Sequence, residues 1–182
     1  MGKSILVLGG ARSGKSEFAE GLALEAEKAG ASVAYLAACR DLPGDGEMAA
    51  RIARHRKRRP LSWSTIEEPL SPEPVIESLP GRSVLLMDCL SLWISNLLFE
   101  GPETGDEEAI ERILCRVRGL MASAASSRGD VILVSSETGC GVVPPTPLGR
   151  LYRDILGWAN QEAAKAAGEV WFVVAGLPQK LK

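Results

Sequence analysis

Short apolar runs alternate with amphipathic segments along this chain, and the alternation predicts strands separated by helices. The apolar runs predict strands at residues 4–8, 32–37, 62–66, 83–87, 131–134 and 170–174. Apolar positions three or four residues apart predict helices between them. The predicted helices cover residues 15–29, 47–57, 90–99, 107–126 and 148–167, with a short helix that reaches Ile76.

Continuous apolar strands that alternate with helices predict an α/β fold with a mostly parallel sheet and helices on both faces. A chain of 182 residues can bury a sizeable core, so we expect residues 1–182 to form a single domain. Ligands of such sheets bind beyond the carboxyl ends of the strands. We therefore expect residues 9–16, 37–46 and 137–147 to surround one site with Asp88.

The segment between the first predicted strand and helix has the spacing of a phosphate-binding loop, Gly-x4-Gly-Lys-Ser. Glycines let backbone N–H groups wrap around phosphate oxygens, and the helix start adds a partial positive charge. We expect Lys15 to reach the β- and γ-phosphates and Ser16 to hold Mg²⁺. The sequence therefore predicts a nucleoside triphosphate site at Gly9, Gly10, Ala11, Arg12, Ser13, Gly14, Lys15 and Ser16.

Asp88 follows the apolar strand 83–87 directly. In phosphate-binding-loop enzymes a carboxylate at such a strand end helps to position Mg²⁺. The same side chain can instead cap the helix that begins near Leu90, and the two roles are geometrically compatible. Ser16 and Asp88 are thus the candidate metal-linked residues.

Composition excludes several classes of protein. The formal net charge of −2 predicts no overall attraction to nucleic acid or to an anionic membrane. No apolar run approaches the ~20 residues of a membrane span, and the first strand begins too early for a signal peptide. The four cysteines stand apart with no C-x-x-C pair, which favours a reducing cytoplasm over a disulfide framework or a zinc site.

Basic residues are concentrated in one short segment, which has three interpretations. It is a solvated helix face, a nucleic-acid surface, or a clamp for polyphosphate, since guanidinium groups bind phosphate through two hydrogen bonds. Scarce aromatics and an otherwise acidic chain count against nucleic acid. The six residues of this cluster are Arg51, Arg54, Arg56, Lys57, Arg58 and Arg59.

His55 is the only histidine and lies within this cluster. A lone histidine is commonly structural. Neighbouring cations, however, disfavour protonation and are expected to hold the pKa of His55 below ~6.5. A neutral imidazole is a nucleophile, and the same cations would stabilise charge on an attacked phosphate. Both roles remain open at this point.

Several segments together resemble the bifunctional adenosylcobinamide kinase/adenosylcobinamide-phosphate guanylyltransferase family of cobalamin biosynthesis. The resemblance runs over nearly the whole chain. The segments that carry it are residues 9–16, 47–52 with His55 and Arg59-Pro60, 96–99, 137–144, Arg153-Asp154, Asn160-Gln161 and 169–171.

The resemblance implies a RecA-like P-loop NTPase fold and two reactions. ATP or GTP phosphorylates adenosylcobinamide, with Lys15 as a catalytic residue. A histidine then takes GMP from GTP, expels pyrophosphate and passes the GMP to adenosylcobinamide phosphate, giving adenosylcobinamide-GDP. Only His55 can fill the place of that nucleophile. Mg²⁺ is the implied cofactor, and trimers are implied by the family.

The resemblance also implies a set of nucleotide contacts outside the P-loop. The chain departs from some members in having Arg54 before His55, Ala38 and Cys39 in place of hydroxyl residues, and Asp88 in place of glutamate. The implied contacts are Ala37, Ala38, Cys39, His55, Arg56, Lys57, Arg58, Glu67 and Asp88.

Two other functions compete with this one. The first is a single-activity P-loop kinase for a small molecule, in which His55 is structural. The second is a RecA-like ATPase or nucleotide switch whose basic helix at 51–59 binds nucleic acid. We expect the partners to be adenosylcobinamide, its phosphate and GTP or ATP, with no nucleic acid and no membrane span.

Overall fold

The computed structural model describes residues 1–39, 59–100 and 105–182. Within these ranges a seven-stranded sheet has the order β3-β2-β4-β5-β1-β6-β7. The strands are β1 (Ser4–Gly9), β2 (Ser32–Ala37), β3 (Ser64–Glu67), β4 (Ser83–Asp88), β5 (Asp130–Ser136), β6 (Glu169–Val174) and β7 (Leu177–Lys180). The helices are α1 (Lys15–Lys28), α2 (Glu73–Glu77), α3 (Leu90–Glu100), α4 (Asp106–Ser126) and α5 (Pro147–Ala166).

The central strands are buried on both faces because their side chains alternate between two helical layers. In β1, Leu6 packs in a cluster with residues of α2, α3, α4 and α5. Its neighbours Ile5 and Val7 pack in a second cluster with Ala19 and Ala23 of α1. The prediction of a mostly parallel sheet with helices on both faces is confirmed.

Both edges of the sheet differ from the sequence prediction. The strand predicted at 62–66 is displaced to Ser64–Glu67, and β7 was not predicted at all. β7 pairs antiparallel with β6 after a tight turn at Ala175 and Gly176, whose φ angles of 51° and 80° are both positive. All four residues of β7 are exposed, so the strand has no apolar pattern to reveal it.

Strand β5 lies between β1 and β4, and this places three strand ends side by side. In the parallel registers Gly9 is opposite Ser136, and Asp88 is opposite Val134. The start of the P-loop and Asp88 are therefore separated by the end of one strand. The helix predicted at 47–57 lies outside the described residues. In the part that is described, no helix has the length and apolarity needed to cross a membrane.

Candidate active site

The P-loop turns tightly around its own side chains after β1. A Cβ atom on Gly9 would lie 2.4 Å from Ser13 Oγ and 2.7 Å from the Val173 carbonyl oxygen, so only glycine fits there. Gly14 has a φ of 92°, which favours glycine, and its Cβ would lie 3.1 Å from Gly176 Cα. The Gly176 N–H donates to the Ser13 carbonyl at 2.8 Å, so the unpredicted β6–β7 turn supports the loop.

Lys15 is the first residue of α1 and folds back over the loop that precedes it. Its side chain is buried, and Nζ donates to the Gly10 carbonyl at 3.1 Å. Ser13 N also donates to Gly10 O at 3.3 Å. Within the described ranges the buried Ser13 hydroxyl has no hydrogen-bond partner. The loop thus combines a cation, a hydroxyl and the N-terminus of α1, groups that suit a phosphate.

Asp88 ends β4, and its charge acts on two neighbours. Burial raises the pKa of the Cys89 thiol, Asp88 raises it further, and the Lys15 ammonium opposes the rise. Cys89 therefore lies within electrostatic range of both Asp88 and Lys15. Burial also raises the pKa of Tyr35 on β2, again with a contribution from Asp88. The strand registers place Asp88 on the same edge of the sheet as the start of the P-loop.

A network of polar side chains joins α5 to the end of β5 and to the start of α3. Ser135 Oγ donates to Asn160 Oδ1 at 2.7 Å, and Asn160 Nδ2 donates to the Ser136 carbonyl at 3.0 Å. The Ser91 hydroxyl lies 3.3 Å from Ser136 Oγ. Motif reasoning missed these serines, because a serine in an apolar strand gives no periodic signal.

The other side of the site is formed by β2, β3 and the residues before β3. The Arg59 guanidinium lies 3.4 Å from the centre of the Tyr35 ring, and its Nη1 donates to Thr65 Oγ1 at 3.3 Å. Arg59 opposes the rise in the pKa of Tyr35 that burial and Asp88 cause. An adjoining cavity of about 330 Å³ is lined by Arg59, Pro60, Leu61, Trp63, Thr65 and Glu67.

The implied contacts at the end of β2 lie on the same edge of the sheet. Ala37 is opposite Glu67 in the parallel register of β2 and β3. Ala38 is fully buried, and its carbonyl accepts a hydrogen bond from Asn96 Nδ2 at 2.7 Å. Cys39 is half-buried and forms no disulfide.

Not every predicted residue falls within the described ranges. The nucleophile candidate and the basic residues next to it lie outside them, as does most of the predicted 37–46 loop. The loop 137–147 begins beside the P-loop, since Glu137 N donates to Gly9 O at 3.0 Å. The candidates that lie outside are His55, Arg56, Lys57 and Arg58.

Comparison with known proteins identifies the family. A family model described as "Cobinamide kinase / cobinamide phosphate guanyltransferase" matches residues 5–181. The chain belongs to this family. The family and the enzyme class predicted from the sequence, a kinase and guanylyltransferase, are confirmed.

Relatives of the cobinamide kinase family match over nearly their whole length. The "Bifunctional adenosylcobalamin biosynthesis protein CobP" of Pseudomonas aeruginosa is 47% identical over 180 residues, with 97% of this chain and 96% of the relative covered. The "Bifunctional adenosylcobalamin biosynthesis protein CobU" of Escherichia coli is 40% identical over 185 residues, with 98% and 99% covered.

A solved structure of another protein has a similar fold. This structure, of an ATPase domain, has a TM-score of 0.50 at 13% identity, with 93% of this chain and 68% of that chain covered. At this identity the likeness concerns the fold alone. It confirms the predicted RecA-like P-loop NTPase architecture.

Proposed function

We propose that this protein phosphorylates adenosylcobinamide with ATP or GTP and then transfers GMP from GTP to adenosylcobinamide phosphate. The product is adenosylcobinamide-GDP, an intermediate of cobalamin biosynthesis. The observation that carries the proposal is the family match over residues 5–181. The P-loop geometry of residues 9–16 supports it, and residues 1–182 act as one kinase/guanylyltransferase domain in this proposal.

In the kinase step the P-loop holds the triphosphate while the substrate hydroxyl attacks the γ-phosphorus. A phosphorus–oxygen bond to the substrate forms, and the bond to the β-phosphate bridging oxygen breaks. Lys15 neutralises charge on the β- and γ-phosphates, and its present hydrogen bond to the Gly10 carbonyl can be exchanged for one to a phosphate oxygen. Catalysis here rests on positioning and charge.

Mg²⁺ fits the donor set at this edge. The Ser16 hydroxyl and the Asp88 carboxylate supply hard oxygen atoms, which Mg²⁺ prefers. Mg²⁺ commonly takes one or two protein ligands and completes its shell with waters and phosphates. In our proposal Ser16 and Asp88 would hold the ion, which when bound neutralises phosphate charge.

The guanylyl transfer proceeds in two displacements with His55 as nucleophile. In the first, the His55 imidazole attacks the α-phosphorus of GTP, a phosphorus–nitrogen bond forms and pyrophosphate leaves. In the second, a phosphate oxygen of adenosylcobinamide phosphate attacks the same phosphorus, and the bond to His55 breaks. The support for His55 is the family resemblance and its position as the only histidine.

The nucleotide is held by residues on both sides of His55 in this proposal. The cavity beside β3, which Glu67 helps to line, supports the assignment of that region to binding the guanine base. The residues we assign to nucleotide binding outside the P-loop are Ala37, Ala38, Cys39, His55, Arg56, Lys57, Arg58, Glu67 and Asp88.

Labelled GTP tests this proposal. GTP labelled at the α-phosphate should label the protein, and GTP labelled at the γ-phosphate should not. The label should survive alkali and be lost in acid, as a phosphorus–nitrogen bond to imidazole requires. His55→Asn should lose the label and guanylyl transfer while it keeps much of the kinase activity, which needs no imidazole.

Other outcomes would point elsewhere. An α-label retained by His55→Asn would contradict His55 as nucleophile. Kinase activity without any label in the wild-type protein would favour the single-activity kinase. Loss of both activities in a folded His55→Asn protein would mean that His55 organises a shared nucleotide site.

We also propose a homotrimer that works in the cytoplasm. The trimer is supported by the family resemblance. The four cysteines form no disulfide, which suits a reducing compartment; they are Cys39, Cys89, Cys115 and Cys140. Light scattering during size-exclusion chromatography should give three chain masses, and a mass of one or two chains would contradict the trimer.

A further inference from the structure

Asn160 is a buried polar residue on a helix face that is otherwise apolar. The other buried residues of α5 are Ile155, Leu156, Ala159 and Ala163, whereas Asn160 is only 6% exposed. Burying an amide is unfavourable unless its polar groups are hydrogen-bonded. A leucine or alanine would fill this place without that cost, so the role of Asn160 is to be sought in its hydrogen bonds.

Both polar atoms of this amide bind the carboxyl end of β5. Oδ1 accepts from Ser135 Oγ at 2.7 Å, and Nδ2 donates to the Ser136 carbonyl at 3.0 Å. Ser135 is fully buried. Two directional hydrogen bonds to consecutive residues fix both the position and the rotation of this strand end. Asn160 therefore ties helix α5 to the last two residues of β5.

The end of β5 is bound in turn to the P-loop. Ser136 is opposite Gly9 in the register, and the Glu137 N–H donates to the Gly9 carbonyl at 3.0 Å. Gly9 is the residue at which β1 becomes the phosphate-binding loop. A shift of Ser136 would consequently move the beginning of that loop.

On its other side the same strand end contacts the turn that carries Asp88. The Ser91 hydroxyl lies 3.3 Å from Ser136 Oγ and 3.0 Å from Cys89 Sγ. Helix α5 reaches this turn a second time, since the Tyr152 hydroxyl donates to the Ser91 carbonyl at 2.9 Å. The network is thus continuous from Asn160 to the residue next to Asp88.

We propose that Asn160 is a positioning residue for phosphoryl transfer, which holds the P-loop and the Asp88 turn at a fixed separation through the end of β5. The inference rests on the proposed nucleotide site. Phosphoryl transfer depends on placing the triphosphate and its counter-charges correctly, and a small displacement costs rate without much loss of binding. Removing the Asn160 hydrogen bonds should therefore lower kcat more than it raises KM.

The test compares Asn160→Asp with Gln161→Glu in the full-length protein at pH 8. Asn160→Asp keeps the acceptor for Ser135 but puts an oxygen opposite the Ser136 carbonyl, and the two repel. Gln161→Glu makes the same chemical change at the exposed neighbouring position. The kinase kcat and the KM for ATP are measured with Mg²⁺ and adenosylcobinamide present, at a temperature well below the Tm of each variant. Asn160→Asp should lose about tenfold or more in kcat with KM within about threefold, and Gln161→Glu should match the wild type.

A second pair of variants tests the same inference if Asn160→Asp does not fold. Ser135→Ala deletes one hydroxyl from the same network, and Ser83→Ala deletes a buried hydroxyl at the opposite end of the sheet. Ser135→Ala should lower kcat with little change in KM, and Ser83→Ala should lower only the Tm. Equal kcat in these two variants, or a loss confined to KM, would overturn the inference.

Lys15→Ala measured alongside separates the two possible failures. If its kinase turnover survives, both the nucleotide site and the inference are wrong. If Lys15→Ala is inactive while folded Asn160→Asp keeps the wild-type kcat, the inference alone is wrong.

Discussion

Buried serines lie at both ends of the sheet, but they bind different partners. At the amino end they bind backbone groups: Ser83 Oγ donates to the Pro80 carbonyl at 2.7 Å, and Ser4 Oγ accepts from the Gly168 N–H at 3.0 Å. At the carboxyl end, Ser135 binds the side chain of Asn160, and Ser91 lies beside Ser136. The amino-end serines bind the backbone, whereas the carboxyl-end serines connect the side chains of three separate elements, β5, α5 and α3.

The difference indicates separate roles for the two ends of the sheet, stability at the amino end and positioning of the site at the carboxyl end. A hydroxyl that caps a turn stabilises the fold locally, and its loss should be measurable as a change in the free energy of unfolding. In our proposal, a hydroxyl between the P-loop and the Asp88 turn helps to set the geometry of phosphoryl transfer. We therefore expect substitutions of amino-end serines to lower the free energy of unfolding, and substitutions of carboxyl-end serines to lower kcat.

The largest contrast should come from the two lysines that flank β1. Lys15→Ala removes the cation beside the phosphates and should lower the kinase kcat at least about 100-fold. Its Tm should change little, because the ammonium makes its hydrogen bond to a loop carbonyl. Lys3→Ala, at the exposed residue that precedes β1, should keep the wild-type kcat. Near-normal turnover in folded Lys15→Ala would remove the contrast.

Ser83→Ala should show the opposite behaviour at an intermediate size. It removes the hydrogen bond to Pro80 and should cost about 1 kcal/mol, which corresponds to about 2–4 °C in Tm for a chain of this length. Both transfer activities should be unchanged at 25 °C. Thermal unfolding and steady-state assays on the same preparation measure Tm and kcat. A loss of kcat at unchanged Tm would contradict a purely stabilising role for Ser83.

The smallest effect should come from Glu169 at the amino end of β6. Hydrogen bonding to Lys180, whose Nζ lies 3.1 Å away, holds the pKa of Glu169 below its usual value. The stabilisation is then present above the unfolded pKa of about 4.3 and is lost as the pH falls through the folded pKa. Glu169→Gln should lower the free energy of unfolding at pH 7 by less than about 1 kcal/mol, seen as a slightly lower Tm. This difference should shrink as the pH falls below about 4.3. A Tm difference that grows in acid would contradict this sign.

Sequence patterns predicted the parts of the fold that local chemistry determines. β1 and β4 are buried on both faces, so their apolar runs could be read directly. The P-loop was equally clear, because its Gly-x4-Gly-Lys-Ser spacing is a local motif and Gly14 takes a φ of 92° that favours glycine. β7 was missed because its exposed residues carry no pattern.

The carboxyl-end network was beyond such reasoning. Ser135 and Asn160 are 25 residues apart, and their contact depends on how α5 packs on the sheet. In the sequence, Asn160 is part of a segment that resembles the family, and its residue type alone indicates no role. The tertiary packing supplies what periodicity cannot, namely which buried polar groups face one another.

The most direct test of the proposed function is whether a guanylyl adduct is formed and then consumed. Intact mass spectrometry of the wild-type protein after incubation with GTP and Mg²⁺ should show one added guanylyl group, which His55→Asn should lack. Adding adenosylcobinamide phosphate to the isolated adduct should restore the original mass and yield adenosylcobinamide-GDP in equal amount. An unmodified protein that nevertheless turns over, or an adduct that persists in the presence of the acceptor, would contradict the covalent route through His55.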